Sequence, residues 1–234
     1  MGDRAVAADL LLLDYNGVIV DDEPVHFEVL RALLAVERID LDVPSYLAHY
    51  LGRDDRTCIA EAYRRAGRPL DPETERVLLA RKAAWYAESV RAGAPLVPGV
   101  GRFVREAAAS TRIAVVSGAF RAEIEAGLAQ AGIADCVLCV VAAEDVTHGK
   151  PDPEGHRRAI AQLAGSARSL RAVVVEDSEP GLAAAHALGA GSVLLTTGFG
   201  ARGLGGADLT WTSFDGHAAA ELRPLMREVV RAGA

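Results

Sequence analysis

Residues 8–27 read ADLLLLDYNGVIVDDEPVHF. The leucine run is short, apolar and uninterrupted, as a strand buried on both faces must be. It ends on a carboxylate, Asp14, and Asn16-Gly17 turns the chain at once. From Glu23 the apolar residues recur at helical spacing instead. A strand that delivers an acid to a turn and then yields to helices is the opening of an α/β fold with an insertion.

The rest of the chain follows from that opening. After residue 92, short apolar runs alternate with helical stretches. RIAVVSG (112–118), CVLCVV (136–141), RAVVVED (171–177) and GSVLLTT (191–197) are the strands; 100–109, 120–131, 153–164 and 179–188 carry helical patterns. This rhythm predicts a mostly parallel, Rossmann-like sheet covered by helices on both faces, with residues 8–14 as its central strand. ADLTW (207–211) is a candidate edge strand. Residues 21–92 differ: EPVHFEVLRALLAVE, RTCIAEAYRRAG and PETERVLLARKAAWYAESV are amphipathic helices in succession. The expected organisation is an α/β core (1–20 and 93–234) with an all-helical cap (21–92), and Pro95-Leu96-Val97-Pro98-Gly99 marks the return to the sheet.

Composition narrows the function classes. A formal net charge of −7 over 234 residues, with no Lys/Arg-rich block, argues against nucleic acid as a partner. No apolar run reaches the roughly 18–20 residues that span a bilayer, so no membrane partner is expected. The N-terminus lacks a basic segment and an apolar signal core, which makes the cytoplasm the expected location. Three cysteines, an odd number, suit a reducing compartment. Cys136 and Cys139 lie in the run CVLCVV, where a strand would turn them to opposite faces as structural thiols.

Four signals fall at the carboxyl ends of predicted strands or in the loops that follow, the edge where open α/β sheets bind ligands. They are Asp14-Tyr15-Asn16-Gly17, Ser117-Gly118, Lys150 in THGKPDPEGH, and Glu176-Asp177-Ser178. Taken singly, each is an ordinary turn, cap or surface group. Together they supply a carboxylate nucleophile, a hydroxyl with backbone N–H groups, an ammonium, and further carboxylates for a divalent cation. Phosphoryl transfer needs mainly positioning and charge neutralisation, which these groups provide. Hard oxygen donors favour Mg²⁺ over zinc.

DYNGVIVDDEPVHF, VVSG, GKPDPEGH and VVVEDSEPGLAAAHALGA resemble, in order and spacing, the four motifs of the haloacid dehalogenase (HAD) superfamily. The likeness covers nearly the whole chain and is closest to β-phosphoglucomutase and phosphoglycolate phosphatase-like members with a helical cap. It implies that Asp14 attacks phosphorus to form an aspartyl-phosphate. Ser117 and Gly118 then hold the phosphoryl oxygens, and Lys150 neutralises them. Asp14, Asp177 and the Asn16 carbonyl hold Mg²⁺, with Glu176 as a ligand through water or a residue behind the ligands. LGRDDRTCI (51–59) resembles the family's substrate-facing cap loop, so Arg53, with Glu23 at the cap entrance, becomes a substrate-facing candidate. The expected partner is a small phosphorylated metabolite; the substrate's identity and the oligomeric state are open.

The departure is Asn16, with a milder one at Asp22. Where most phosphatase members carry an aspartate that moves the proton, this chain has an amide with no titratable proton. Three readings fit. The residue is an active-site substitution that traps ligand; or it belongs to a natural member with slower or phosphomutase-like chemistry; or it marks a catalytically retired binder of phosphorylated ligands. Lys150, Glu176 and Asp177 together argue against the metal-free dehalogenase branch. The cap's single lysine, Lys82, lies in a helical stretch rather than the cap loop, which argues against the Schiff-base phosphonatase branch.

Overall fold

A computed structural model describes residues 7–51, 53, 55–91, 93–167, 169–197 and 205–229. Its contacts divide the chain into two units. The first holds residues up to Asp21 together with Leu96–Thr197 and the C-terminal part, and the second holds Asp22–Pro95. The chain rejoins the first unit at Leu96 because that residue bridges Val20 in antiparallel fashion, a few residues later than the composition break suggests.

The first unit is built on β1 (Ala7–Leu13), β2 (Arg112–Val116), β3 (Val137–Val141), β4 (Ser169–Glu176), β5 (Gly191–Leu195) and β6 (Leu209–Trp211). These strands run parallel in the order β3-β2-β1-β4-β5-β6. A two-residue strand, β7 (Arg227–Glu228), adds antiparallel to β4. The fold is α/β, Rossmann-like. β1 lies between β2 and β4, with Leu11 opposite both Ile113 and Val173. All four of its leucines are fully buried, which is why this strand shows no polar alternation. Leu10 and Leu12 join Ala114, Val174, Ile160 and Leu163 in one apolar cluster. The crossover helices are α5 (Val100–Ala108), α6 (Arg121–Ala131), α7 (Glu154–Ala164) and α8 (Glu179–Ala187).

One expectation is corrected at β3. Cys136 is not in the strand; it closes a 3₁₀ turn (Ala134–Cys136), and only Cys139 is a buried strand residue. The apolar run is one residue longer than the ladder, which begins with Ile113 opposite Val137.

The second unit contains α1 (Glu23–Val36), α2 (Val43–His49), α3 (Asp55–Arg65) and α4 (Pro72–Arg91) around its own core of Leu30, Leu33, Leu34, Ile59 and Tyr63. α2 adds to the three expected helices. Its start was legible: the Asp42 side chain accepts from the Ser45 N–H at 2.8 Å, and a proline opens the first turn.

Candidate active site

β1, β2 and β4 end side by side, and the residues just past them meet at one edge of the sheet. Asp14 follows β1, its N–H donating to the Val175 carbonyl of β4 at 3.0 Å. Ser117 follows β2, its N–H donating to Val141 on β3 at 3.0 Å. Glu176 is the last residue of β4, and Asp177 comes next. Backbone hydrogen bonds therefore set where these side chains emerge.

Lys150 bridges the two acids. Its Nζ lies 2.8 Å from Asp14 Oδ1 and 2.5 Å from Glu176 Oε1. Glu176 is fully buried and Asp14 nearly so. Burial pushes the Glu176 carboxyl up, the nearby Asp14 charge pushes it further, and Lys150 pulls it back in part. Burial alone would lower the Lys150 ammonium, yet the attraction of Asp14 and Glu176 outweighs it and raises it. Glu176 Oε2 accepts from Ser178 Oγ at 3.1 Å, and Ser178 caps α8 by accepting from the Gly181 N–H at 3.2 Å. The two oxygens of Glu176 thus face Lys150 and Ser178. Gly181 has no alternative, since a Cβ there would lie 2.0 Å from the Glu176 carboxylate.

Carboxylate oxygens of Asp14, Glu176 and Asp177 come within 4.8 Å of one another. Three carboxylates against one ammonium leave a formal charge of −2, and like charges this close repel. An all-oxygen donor set with that deficit fits a hard divalent cation of the Mg²⁺ type. Asn16 sits half-buried in the turn after Asp14, bridged to Val20. Gly17 has φ +69°, and a Cβ on it would meet Asp177 Oδ2 at 2.0 Å, so only glycine lets the turn lie against this carboxylate. Ser117 Oγ accepts from the Ala119 N–H at 3.2 Å, leaving its own proton to donate, and Gly118 is exposed beside it. The core therefore brings together Asp14, Asn16, Ser117, Gly118, Lys150, Glu176 and Asp177.

Glu23 and Arg53 line a separate cavity of about 550 Å³ within the helical unit, together with His26, Tyr46, Asp55 and Lys82. Tyr46 donates its hydroxyl to Glu23. Gly52 and Asp54 of the cap loop lie outside the described residues.

Two residues escaped the sequence reading. Thr197 is buried and donates its hydroxyl to the Gly17 carbonyl at 2.6 Å; a threonine just past a strand gives no signal of that. His156 is 1% exposed and lines a core cavity with Ser117 and Lys150. Burial, aided by the Lys150 charge, pushes its pKa down to about 3, so it stays neutral near pH 7.

Comparison with known proteins sets this arrangement among hydrolases. The chain is 28% identical over 200 residues to validoxylamine A 7'-phosphate phosphatase of Streptomyces hygroscopicus subsp. limoneus, covering 85% of this chain and 90% of the relative. A HAD family hydrolase from Deinococcus radiodurans R1, solved with bound phosphate and sodium, superposes with a TM-score of 0.71 at 26% identity, covering 92% of this chain and 93% of its own. CbbY from Rhodobacter sphaeroides, an aspartate-to-asparagine variant in complex with xylulose-(1,5)-bisphosphate, shares the fold with a TM-score of 0.66 at 24% identity, covering 88% of this chain and 94% of its own. A family model for haloacid dehalogenase-like hydrolases matches residues 8–189, and the chain belongs to that family.

Proposed function

We propose that the chain is built to hydrolyse a small phosphoric monoester through an aspartyl-phosphate on Asp14, at a rate held down by Asn16. The observation that carries this reading is the Asp14–Lys150–Glu176 triad, its two acids buried, beside Ser117 and Asp177. Asp14 attacks phosphorus while Lys150, held by Glu176, neutralises the transferring oxygens. Ser117 Oγ–H and the N–H groups around Gly118 cradle them. Asp14, Asp177 and the Asn16 carbonyl would hold Mg²⁺, which supplies charge neutralisation at the phosphoryl group. The role of Glu176 toward the cation is indirect.

Protonating the leaving oxygen, and then deprotonating the attacking water, falls to the side chain at position 16. An amide does neither, and losing a general acid/base costs roughly 10²–10⁴-fold in rate. His156 is no substitute, because burial and the neighbouring Lys150 charge push its pKa down to about 3 and make it a poor proton acceptor. In this reading residues 1–20 and 93–234 carry out the reaction. The cap, residues 21–92, selects the substrate, with Glu23 and Arg53 facing the part that is not phosphate.

The amide itself favours a second reading, a binder of phosphorylated ligands without turnover. A Mg²⁺-dependent assay on a panel of sugar phosphates and other small phosphomonoesters, with the chain as it stands and with Asn16→Asp, separates the two. Gain of turnover only in the substituted chain supports the hydrolase. Ligand-dependent thermal stabilisation with no turnover in either chain supports the binder. Asp177→Asn should remove Mg²⁺-induced stabilisation, which at 100 times Kd amounts to about 2.7 kcal/mol.

A further inference from the structure

Asn-Gly is the dipeptide in which a backbone nitrogen most easily attacks the preceding amide, because glycine presents no side chain to hinder the approach. In this fold the residue that carries the attacking atom is restrained from three sides. The Gly17 N–H donates to the Val20 carbonyl at 2.7 Å. The Gly17 carbonyl accepts from Thr197 Oγ1 at 2.6 Å, across a separation of 180 residues. Asp177 lies where a Gly17 Cβ would be, leaving no room for the peptide to swing. Thr197 is 6% exposed, so its hydroxyl has little water to turn to, and removing it would leave the buried Gly17 carbonyl without that donor.

We propose that Thr197 is a positioning residue that pins the Gly17 carbonyl, on the far side of the Gly17 Cα from the attacking nitrogen, and that by fixing Gly17 this lock keeps position 16 an amide in the folded chain. When the lock opens, the Gly17 nitrogen loses its proton and bonds to Asn16 Cγ. The Cγ–N bond of the amide breaks, ammonia leaves, and a succinimide remains. Water then opens either of its carbonyls, giving an aspartyl or an isoaspartyl residue at position 16. The aspartyl product carries the titratable carboxyl that the proposed hydrolysis lacks; that consequence, though not the lock, rests on the functional reading above. The Asn16 carbonyl group is bonded to the Gly17 nitrogen, so loosening Gly17 also weakens the proposed cation site.

The test compares the full chain with Thr197→Val, Thr197→Ser and, as a core-destabilised control away from this turn, Leu163→Ala. Each is incubated at mildly alkaline pH under native conditions. Peptide mass and released ammonia report deamidation at position 16, and thermal shifts with Mg²⁺ alone report the cation site. Thr197→Val should deamidate about tenfold faster, corresponding to about 1.4 kcal/mol of lost restraint, and lose Mg²⁺ stabilisation. Thr197→Ser should stay near the parent in both. Wild-type rates in Thr197→Val, or equal acceleration in Leu163→Ala, overturn the proposal. If Thr197→Val does not fold, hydrogen exchange of the Gly17 amide in the parent decides: slow exchange supports the lock, and peptide-like exchange overturns it. Should the mass result hold while aspartyl-bearing protein gains no turnover, the lock stands and the acid/base reading of position 16 fails.

Discussion

Each unit of the molecule contains one lysine, half-buried in the core and buried in the cap, and the two are held differently. Lys150 in the core meets two carboxylates, Asp14 and Glu176, whose side chains are 11% and 0% exposed. Lys82 in the cap is itself 3% exposed, but its ion-pair partner Asp55 is 39% exposed. Its second partner is His26 Nδ1 at 2.9 Å. Because an ammonium can only donate, Nδ1 accepts, which leaves the Nε2 proton to reach Asp22 Oδ2 at 3.2 Å. Tyr86 stacks on His26 and donates to the same Asp22 oxygen at 2.6 Å. The core lysine is held between two carboxylates that have little access to water. The cap lysine belongs to a network in which Asp22 is buried and Asp55 touches both water and a cavity.

The largest effect should come from the core. Asp14→Ala leaves no nucleophile, and phosphomonoesterase activity should fall to background in the parent and in Asn16→Asp alike. Retained turnover in a verified Asp14→Ala preparation would place the chemistry elsewhere. Next comes Asn16→Asp itself, expected to raise kcat by roughly 10²–10⁴-fold, about 3–5 kcal/mol of barrier. Intact-protein mass must accompany that assay, since deamidated material would imitate the gain. A parent already as fast as the variant would assign the proton to another group.

Stability should separate the lysines. Lys150→Met strands two buried carboxylates, a loss of about 3–5 kcal/mol near neutral pH by analogy with other broken buried pairs. In the parent, the Lys150 pKa is raised above 10.5, so its contribution is complete below that value and fades as pH climbs through the raised one. Glu176 has the opposite sense. Its carboxyl is raised above 4.5, so the folded state holds the proton more tightly than the unfolded chain. Metal-free protein should therefore lose stability as pH rises from 4.5 through the raised pKa, by at most about 1.4 kcal/mol per pH unit. Glu176→Gln should flatten that slope in chemical denaturation across pH, and an unchanged slope would mean that another group titrates there.

How much was legible divides along the same line. Three residues of the candidate site follow or end a strand whose apolar run announces them: LLLL before Asp14, AVV before Ser117, AVVV before Glu176. Backbone pairing aims those side chains, and pairing follows from pattern. Thr197 was illegible because its partner, the Gly17 carbonyl, is a backbone atom 180 residues away. Lys82 was seen only as a helical residue, since the burial of a helix face depends on which neighbours cover it. The Asp22–His26–Lys82 contacts join α1 to α4 through tertiary packing, and no local spacing encodes that.

The smallest expected effect concerns Lys82. Methionine at this position keeps most of the stem's packing and removes the charge. Asp55 is exposed enough to recover solvation, and His26, 32% exposed, can turn Nδ1 toward water. The loss should be about 1 kcal/mol, well below that for Lys150→Met, because no fully buried charge is left alone. If the cap cavity takes the part of the substrate that is not phosphate, Lys82→Met should raise KM while kcat holds, the signature of binding lost equally in ground and transition states. Denaturation of both methionine variants under one buffer, paired with steady-state kinetics in the Asn16→Asp background, measures both quantities. A Lys82→Met loss as large as that of Lys150→Met would overturn the comparison: the cap network would then be as unforgiving of a lost charge as the core triad.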